Sequence, residues 1–212
     1  KGIQHPQGVM NTKVKAGVLY SGGKDSSLAA VLLSRDYEVE LLTFVFDESR
    51  SVPAIENAAK ELGFPLRKIP FAPGFLDETA DRIVRDGHPA NAINEVHKRS
   101  LALAAAEYEV IGDGTRRDDR VPMRTPAEVQ SLEMKYGVSY IRPLLGIGKK
   151  EILRLAEQFF EIAWGETGTI ENGDFESEIR ENLKKRGIDY KPLFPENHEQ
   201  SLVLKKKLVN KP

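Results

Sequence analysis

Six consecutive residues, Ser21-Gly22-Gly23-Lys24-Asp25-Ser26, carry the clearest chemical signal in the chain. They follow an apolar run, Lys15–Tyr20, and open a helical pattern over Ser26–Arg35. Two adjacent glycines let the backbone turn tightly and bring its amides against an anion. The first turn of the helix adds N–H groups without acceptors and a partial positive charge, a combination that favours phosphate. Ser21 and Ser26 add hydroxyl donors, and Lys24 adds a mobile cation. Asp25 adds a carboxylate suited to Mg²⁺ beside phosphate oxygens. The spacing fits neither GxxxxGK[ST] nor GxGxxG, so a Walker A loop and a dinucleotide fingerprint are both unsupported. The plain alternative is a strand-to-helix turn capped by Ser or Asp, and a run of residues this dense in phosphate chemistry weighs against it.

A second polar stretch, Gly114-Thr115-Arg116-Arg117-Asp118-Asp119, follows another short apolar run, Glu109–Gly112. Asp118 and Asp119 are adjacent carboxylates that suit Mg²⁺ near a polyphosphate; the competing reading pairs them with neighbouring arginines in a solvated loop. Arg116, Arg117, Arg120 and Arg124 offer charge for a pyrophosphate or an RNA backbone. One or two of them are expected in the site and the rest in solvent.

SGGKDS resembles the PP-loop of the N-type ATP pyrophosphatases, the superfamily of tRNA lysidine synthetase, the tRNA thiolases, GMP synthetase and asparagine synthetase. GTRRDD is similar to the GHxxDD element of its tRNA-modifying branch. His97-Lys98-Arg99 and Ile141-Arg142-Pro143-Leu144-Leu145, with Lys149-Lys150-Glu151-Ile152, match further stretches of that branch. The resemblance covers roughly Lys15–Phe160 and implies ATP cleavage between the α and β phosphates. A substrate oxygen is adenylated and a nucleophile then displaces AMP. By the same resemblance ATP and Mg²⁺ are the cofactors, and Ser21, Gly22, Gly23, Lys24, Asp25 and Ser26 grip the pyrophosphate. Val45, Phe46 and Asp47 meet the adenosine, and Gly114, Thr115 and Arg116 close the site. Lys24, Asp25, Asp118 and Asp119 are the implied catalytic residues, with Asp25 and Asp119 on the metal. Asp47 has three readings: ribose, metal, or a cap on the next turn.

The chain departs from the family pattern at two points. Thr115 stands where that pattern has His, so an imidazole's acid–base role does not carry over. Cysteine is absent, which excludes thiolate nucleophiles, persulfides on this chain and Cys-held zinc or clusters. Sulfur transfer then requires free sulfide or a partner carrier, and attack by a nitrogen nucleophile is the simpler match. A non-catalytic nucleotide sensor of the universal-stress-protein type is the alternative from another class, and SGGKDS argues against it.

These loops need a scaffold. Short runs rich in Val, Ile, Leu and Phe alternate with helical patterns, the mark of an α/β parallel sheet. Strands are predicted at Lys15–Tyr20, Glu38–Phe46, Pro65–Ile69, Glu109–Gly112 and Val138–Ile141. Helices are predicted at Ser26–Arg35, Val52–Leu62, Phe75–Asp86, Ile93–Tyr108, Pro126–Tyr136 and Lys149–Phe160. The expected architecture is a doubly wound five-stranded sheet of order 3-2-1-4-5, as in the adenine nucleotide alpha hydrolase-like proteins. In such a sheet, ligands bind where the strand order reverses. The division is a polar segment 1–14, a PP-loop domain 15–163 and a C-terminal extension 164–212. In the extension, Gly165–Asp174 reads as loop, Glu176–Arg186 as a charged helix and Leu202–Val209 as a strand or short helix. Trp164 reads as core rather than as a base-stacking platform. Glu166 and Glu171 are candidates to cover an acceptor pocket.

The 212 residues carry a formal charge of -1, so no global basic coat for nucleic acid is present. Lys205-Lys206-Lys207 and Lys211 form a local basic end, and tRNA stays open as an acceptor. His5, His88, His97 and His198 show no metal spacing. No apolar run approaches membrane-spanning length, and Lys1–Lys15 lacks a signal-peptide core. A cytoplasmic protein with no membrane partner is expected, with a homodimer open.

Overall fold

Strand β1 (Lys15–Leu19) is the centre of a parallel five-stranded sheet of order β3-β2-β1-β4-β5 in a computed structural model that describes residues 13–166, 169–195 and 199–207. Its neighbours are β2 (Glu38–Val45) and β4 (Val110–Gly112), in register at Ala16 with Val39 and Val110. β3 (Leu66–Pro70) and β5 (Ser139–Ile141) form the two edges. The central strands are buried on both faces, which is why they read as continuous apolar runs. Leu41 packs on one side with Leu28, Ile55 and Ile152, and Leu42 packs on the other with Val96, Leu101 and Ile111.

The helices between these strands are α1 (Lys24–Leu33), α2 (Pro53–Leu62), α3 (Phe75–Asp86), α4 (Ala90–Ala105) and α5 (Pro126–Tyr136). α6 (Lys149–Phe159) follows β5. Thr125 and Glu128 form the reciprocal cap that fixes the start of α5. α4 begins three residues earlier than predicted, at Ala90, directly after Pro89.

The C-terminal part departs most from expectation. Phe160–Glu166 is a strand, β6, which takes Phe160 from the predicted end of α6 and Gly165–Glu166 from the predicted loop. It pairs antiparallel with β7 (Glu199–Lys206), which is a strand and not a helix. Trp164 lies in β6 and is 42% exposed, so the expectation of a core residue is wrong. α7 (Phe175–Lys185) packs on α3 through Ile83, Ile179 and Leu183. His5, His198 and Lys211, like most of the N-terminal segment, lie outside the described residues.

Candidate active site

The sheet order reverses between β1 and β4, and both polar loops leave the sheet there. Gly22 takes φ +81 at the bend after β1, a conformation that suits glycine. The chain then enters α1 with Lys24 as its first residue, two positions earlier than predicted. Gly114 of the second loop lies on that helix start: a Cβ there would stand 2.7 Å from Asp25 C and Ser26 N. Only a glycine lets the two loops approach so closely. SGGKDS and GTRRDD therefore form one site.

A cavity of about 270 Å³ opens at this junction. Ser21, Asp25, Ser26, Gly114, Thr115 and Asp119 line it, so six of the predicted residues are brought together. Arg116 links the loops electrostatically: its guanidinium lies 3.6 Å from Asp25 and 2.5 Å from Asp119. Lys24 is buried, with Nζ 3.1 Å from Asp25 Oδ2. Asp25 Oδ1 is buried without a hydrogen-bond partner.

Other predicted residues lie elsewhere. Asp118 is exposed and accepts the Lys149 amide at 2.8 Å, capping α6 outside the cavity lining. That amide, with Arg117 beside it, holds its carboxyl below the usual carboxylate range. Asp47 accepts the Ser49 amide and hydroxyl at 2.9 and 2.7 Å, the capping reading of the three. The Phe46 and Asp47 amides both donate to Glu178 of α7, and Val45, Phe46 and Asp47 are absent from the lining. Of the four arginines, Arg116 pairs with Asp25 and Asp119 of the cavity wall without lining the cavity itself, and Arg117 and Arg120 are exposed. Arg124 is buried rather than solvated, against Asn94 and Glu128. Glu166 and Glu171 are exposed and do not line the cavity; Asn172 donates to Gln200, while Gly173 and Asp174 form part of the wall.

Sequence reasoning missed a buried polar cluster in the cavity wall. His97 Nε2 donates to Asp113 Oδ2 at 2.7 Å, the Tyr140 hydroxyl donates to the same oxygen, and Thr115 N donates to Asp113 Oδ1 at 2.9 Å. Burial alone would raise the Asp113 carboxyl. The His97 contact, with Tyr140 and the Thr115 amide, outweighs it and holds the group low. Burial and the Asp113 charge push the Tyr140 hydroxyl up. Tyr20, which also lines the cavity, is pushed up to about 12 by burial. The His97–Asp113 spacing of 16 residues has no sequence signature, because only the fold makes the two meet.

The C-terminal extension was also missed as a builder of the site. Gly173 N donates to Ser21 O at 2.7 Å, Val203 N to Gly22 O at 2.9 Å, and the Lys24 amide to Ser201 Oγ at 3.1 Å.

A family model described as a family of unknown function (DUF7411) matches residues 14–205. The chain belongs to that family. DUF7411 here spans the sheet, both loops and the C-terminal hairpin, consistent with a hairpin that is built into the site. The uncharacterized protein MJ0690 of Methanocaldococcus jannaschii is 43% identical over 193 residues, 91% of this chain and 96% of that one. A crystal structure of a predicted subunit of tRNA methyltransferase from Methanocaldococcus jannaschii is 41% identical, with a TM-score of 0.83. That match covers 92% of this chain and 99% of the other. NMN synthetase from Francisella tularensis is 16% identical, with a TM-score of 0.47 over 69% of this chain and 61% of that one. This DUF7411 member has the fold of the 41%-identical structure, and its five-stranded sheet has the anticipated order 3-2-1-4-5. Among the described residues no group of three or more His, Cys, Asp or Glu side chains could hold a metal. No described helix is long and apolar enough to cross a membrane.

Proposed function

We propose that this protein is an ATP-dependent, AMP-forming enzyme that adenylates a substrate oxygen for displacement by a nucleophile. The observation that carries the reading is the seating of Gly114 on the N-terminus of α1, 2.7 Å from Ser26 N by its would-be Cβ. It brings hydroxyls and two carboxylates of both loops to one cavity at the switch point, with Lys24 and Arg116 ion-paired to Asp25 behind that lining. Such a site positions and neutralises a polyphosphate, which is most of what phosphoryl and nucleotidyl transfer require. The pyrophosphate lies along Ser21–Ser26, with Lys24 and Arg116 on its charge. Because Glu178 takes the strand-end amides, the adenosine lies against Leu42 and Phe44, which line the cavity.

Mg²⁺ fits this donor set through Asp25, whose free Oδ1 is a hard oxygen beside the phosphate path. Asp119 fits it less well, since Arg116 takes both of its oxygens; its role is to hold that arginine. When bound, Mg²⁺ neutralises charge on the phosphate oxygens. Asp118 orders the start of α6 rather than taking part in chemistry. Cys-free chemistry favours a nitrogen nucleophile, with tRNA as one acceptor because the 41%-identical relative is described as a predicted subunit of a tRNA methyltransferase.

Incubation with ATP, Mg²⁺ and candidate acceptors, followed by chromatography, tests the reading. AMP and pyrophosphate are expected, and Asp25→Ala or Ser21→Ala should abolish both with the fold intact. ADP as the product, or full activity in either variant, would refute it. A salt-sensitive gel shift of labelled tRNA supports the RNA acceptor, and its absence at low salt points to a protein or small-molecule acceptor.

A further inference from the structure

Lys24 is held at both ends by two residues of the C-terminal hairpin. Its backbone amide donates to Ser201 Oγ at 3.1 Å, and its Nζ stands 5.4 Å from the centre of the Trp164 ring. Trp164 and Ser201 are direct cross-strand partners, so a single rung of the β6–β7 ladder reaches both ends of the lysine. The rung is fixed against the loop. Val203 N donates to Gly22 O, and Ser201 O lies 3.3 Å from where a Cβ on Gly23 would stand.

Three features set this arrangement apart from simple packing. Trp164 is the chain's one tryptophan and leaves 42% of its surface open beside a phosphate loop. The Lys24 ammonium is shared between Asp25 Oδ2 at 3.1 Å and the Trp164 face. An indole face attracts an ammonium but satisfies none of its hydrogen bonds, so that side is a resting place that a phosphate can outcompete. The Ser201 hydroxyl, in accepting the Lys24 amide, uses only a lone pair and keeps its own proton for donation.

We propose that Trp164 and Ser201 are positioning residues of the phosphate site. Trp164 holds the Lys24 ammonium at the mouth of the loop until a polyphosphate draws it off the ring, and Ser201 sets the Lys24 amide and donates its hydroxyl proton to the same phosphate. No covalent step is involved. The inference rests on the phosphate-loop reading above and assigns the hairpin a part in it.

The single tryptophan makes the test direct. The full chain is titrated with tripolyphosphate and Mg²⁺ while Trp164 emission is followed, and affinity is measured separately by calorimetry. A saturable emission change is expected as the ammonium leaves the ring, and Lys24→Met should remove it. Ser201→Ala should weaken binding about tenfold, the scale of one lost charge-assisted contact, whereas Trp164→Ala should tighten it about two- to fivefold, because the ring contact is given up on binding. Trp164→Phe and Ser201→Thr should bring each affinity back towards the wild type, which a merely structural role would not require. Melting curves confirm that each variant is folded, and the wild-type emission signal stands even where a variant is not. Tight binding with silent emission, or unchanged affinity in both alanine variants, overturns the proposal and leaves the phosphate loop standing. Absence of any tripolyphosphate binding to the wild type overturns both.

Discussion

The carboxylate of Glu178 accepts the backbone amides of Phe46 and Asp47 at 3.2 and 3.3 Å, joining α7 to the end of β2. Those amides have no further strand partner, and at the open end of a parallel sheet they would otherwise face a ligand or water. The extension thus closes one half of the sheet edge and leaves the β1–β4 crevice open, where the proposed nucleotide would bind.

Burial raises the Glu178 carboxyl above its free value of 4.5, only partly opposed by the Phe46 amide and the charge of Arg50. A group with a raised folded-state value contributes fully below its unfolded value, and that contribution is lost as pH rises through the folded one. Glu178→Gln keeps an oxygen acceptor but cannot ionise. The melting temperature of the variant should therefore gain on the wild type as pH rises from 4.5 towards neutrality. Parallel curves across that range would contradict the buried-carboxylate account. ATP affinity should stay within about twofold, since Glu178 does not line the cavity and distant sites act nearly independently. Tightening by tenfold or more in Glu178→Ala would place the base at the strand end instead.

The His97–Asp113 pair gives a prediction of opposite sign. Asp113 is held low, so its contribution is present above its unfolded value of 3.8 and is lost as pH falls through the folded one. Both side chains are 6% exposed. His97→Ala leaves Asp113 charged, with only Tyr140 and an amide for company. Leaving a buried acceptor short of a hydrogen-bond partner costs about 1–3 kcal/mol, and more where that acceptor is charged. Chemical denaturation should show that loss at neutral pH, and it should shrink on acidification. A variant as stable as the wild type would mean that the pair carries no net interaction.

What could be read from the sequence followed from local rules. The glycine pair after an apolar run sets the tight turn into α1, and βα alternation with right-handed crossovers leaves few orders for five strands. The limits of α3 and α5 agree with the structure because Gly87 and Gly137 end them in the left-handed region and Thr125 caps one start. The failures are non-local. β6 pairs with β7 some forty residues later, Phe160 opposite Lys206, and nothing in Phe160–Glu166 announces that partner. Trp164 reads as core by type, but its position on an edge pair keeps it exposed. Glu178 and Ser201 meet the β2 end and the Lys24 amide only through tertiary contacts, and Asp113, next to Gly114 in the chain, meets His97 only in the fold, so local sequence gives no sign of these bonds.

Gly114→Ala separates geometry from charge. The new methyl would sit 2.7 Å from two backbone atoms of α1 and 3.0 Å from a third, none of which can rotate away. Overpacking of this kind costs roughly 1–3 kcal/mol, and the relief available is to lift the second loop from the helix start. A lower melting temperature is expected together with loss of ATP binding, although no charged group has changed. Retention of full affinity would mean that the two loops need not touch for the site to work.

Arg116 provides the last test. Its guanidinium stands between Asp25 and Asp119, and all three side chains are partly open to solvent, at 18%, 26% and 18%. Because water can screen the two carboxylates once the arginine is gone, Arg116→Ala should fold with little change in melting temperature. Its cost should fall on the reaction. A preorganised donor aimed at charge that builds up in the transition state is worth about a hundred- to a thousandfold in rate. AMP formation should drop on that scale, while ATP binding weakens far less. Lys should not rescue it, since a point charge cannot hold Asp119 by two bonds and reach Asp25 at once. A rate unchanged in Arg116→Ala would remove this arginine from the mechanism and leave Lys24 as the cation on the pyrophosphate.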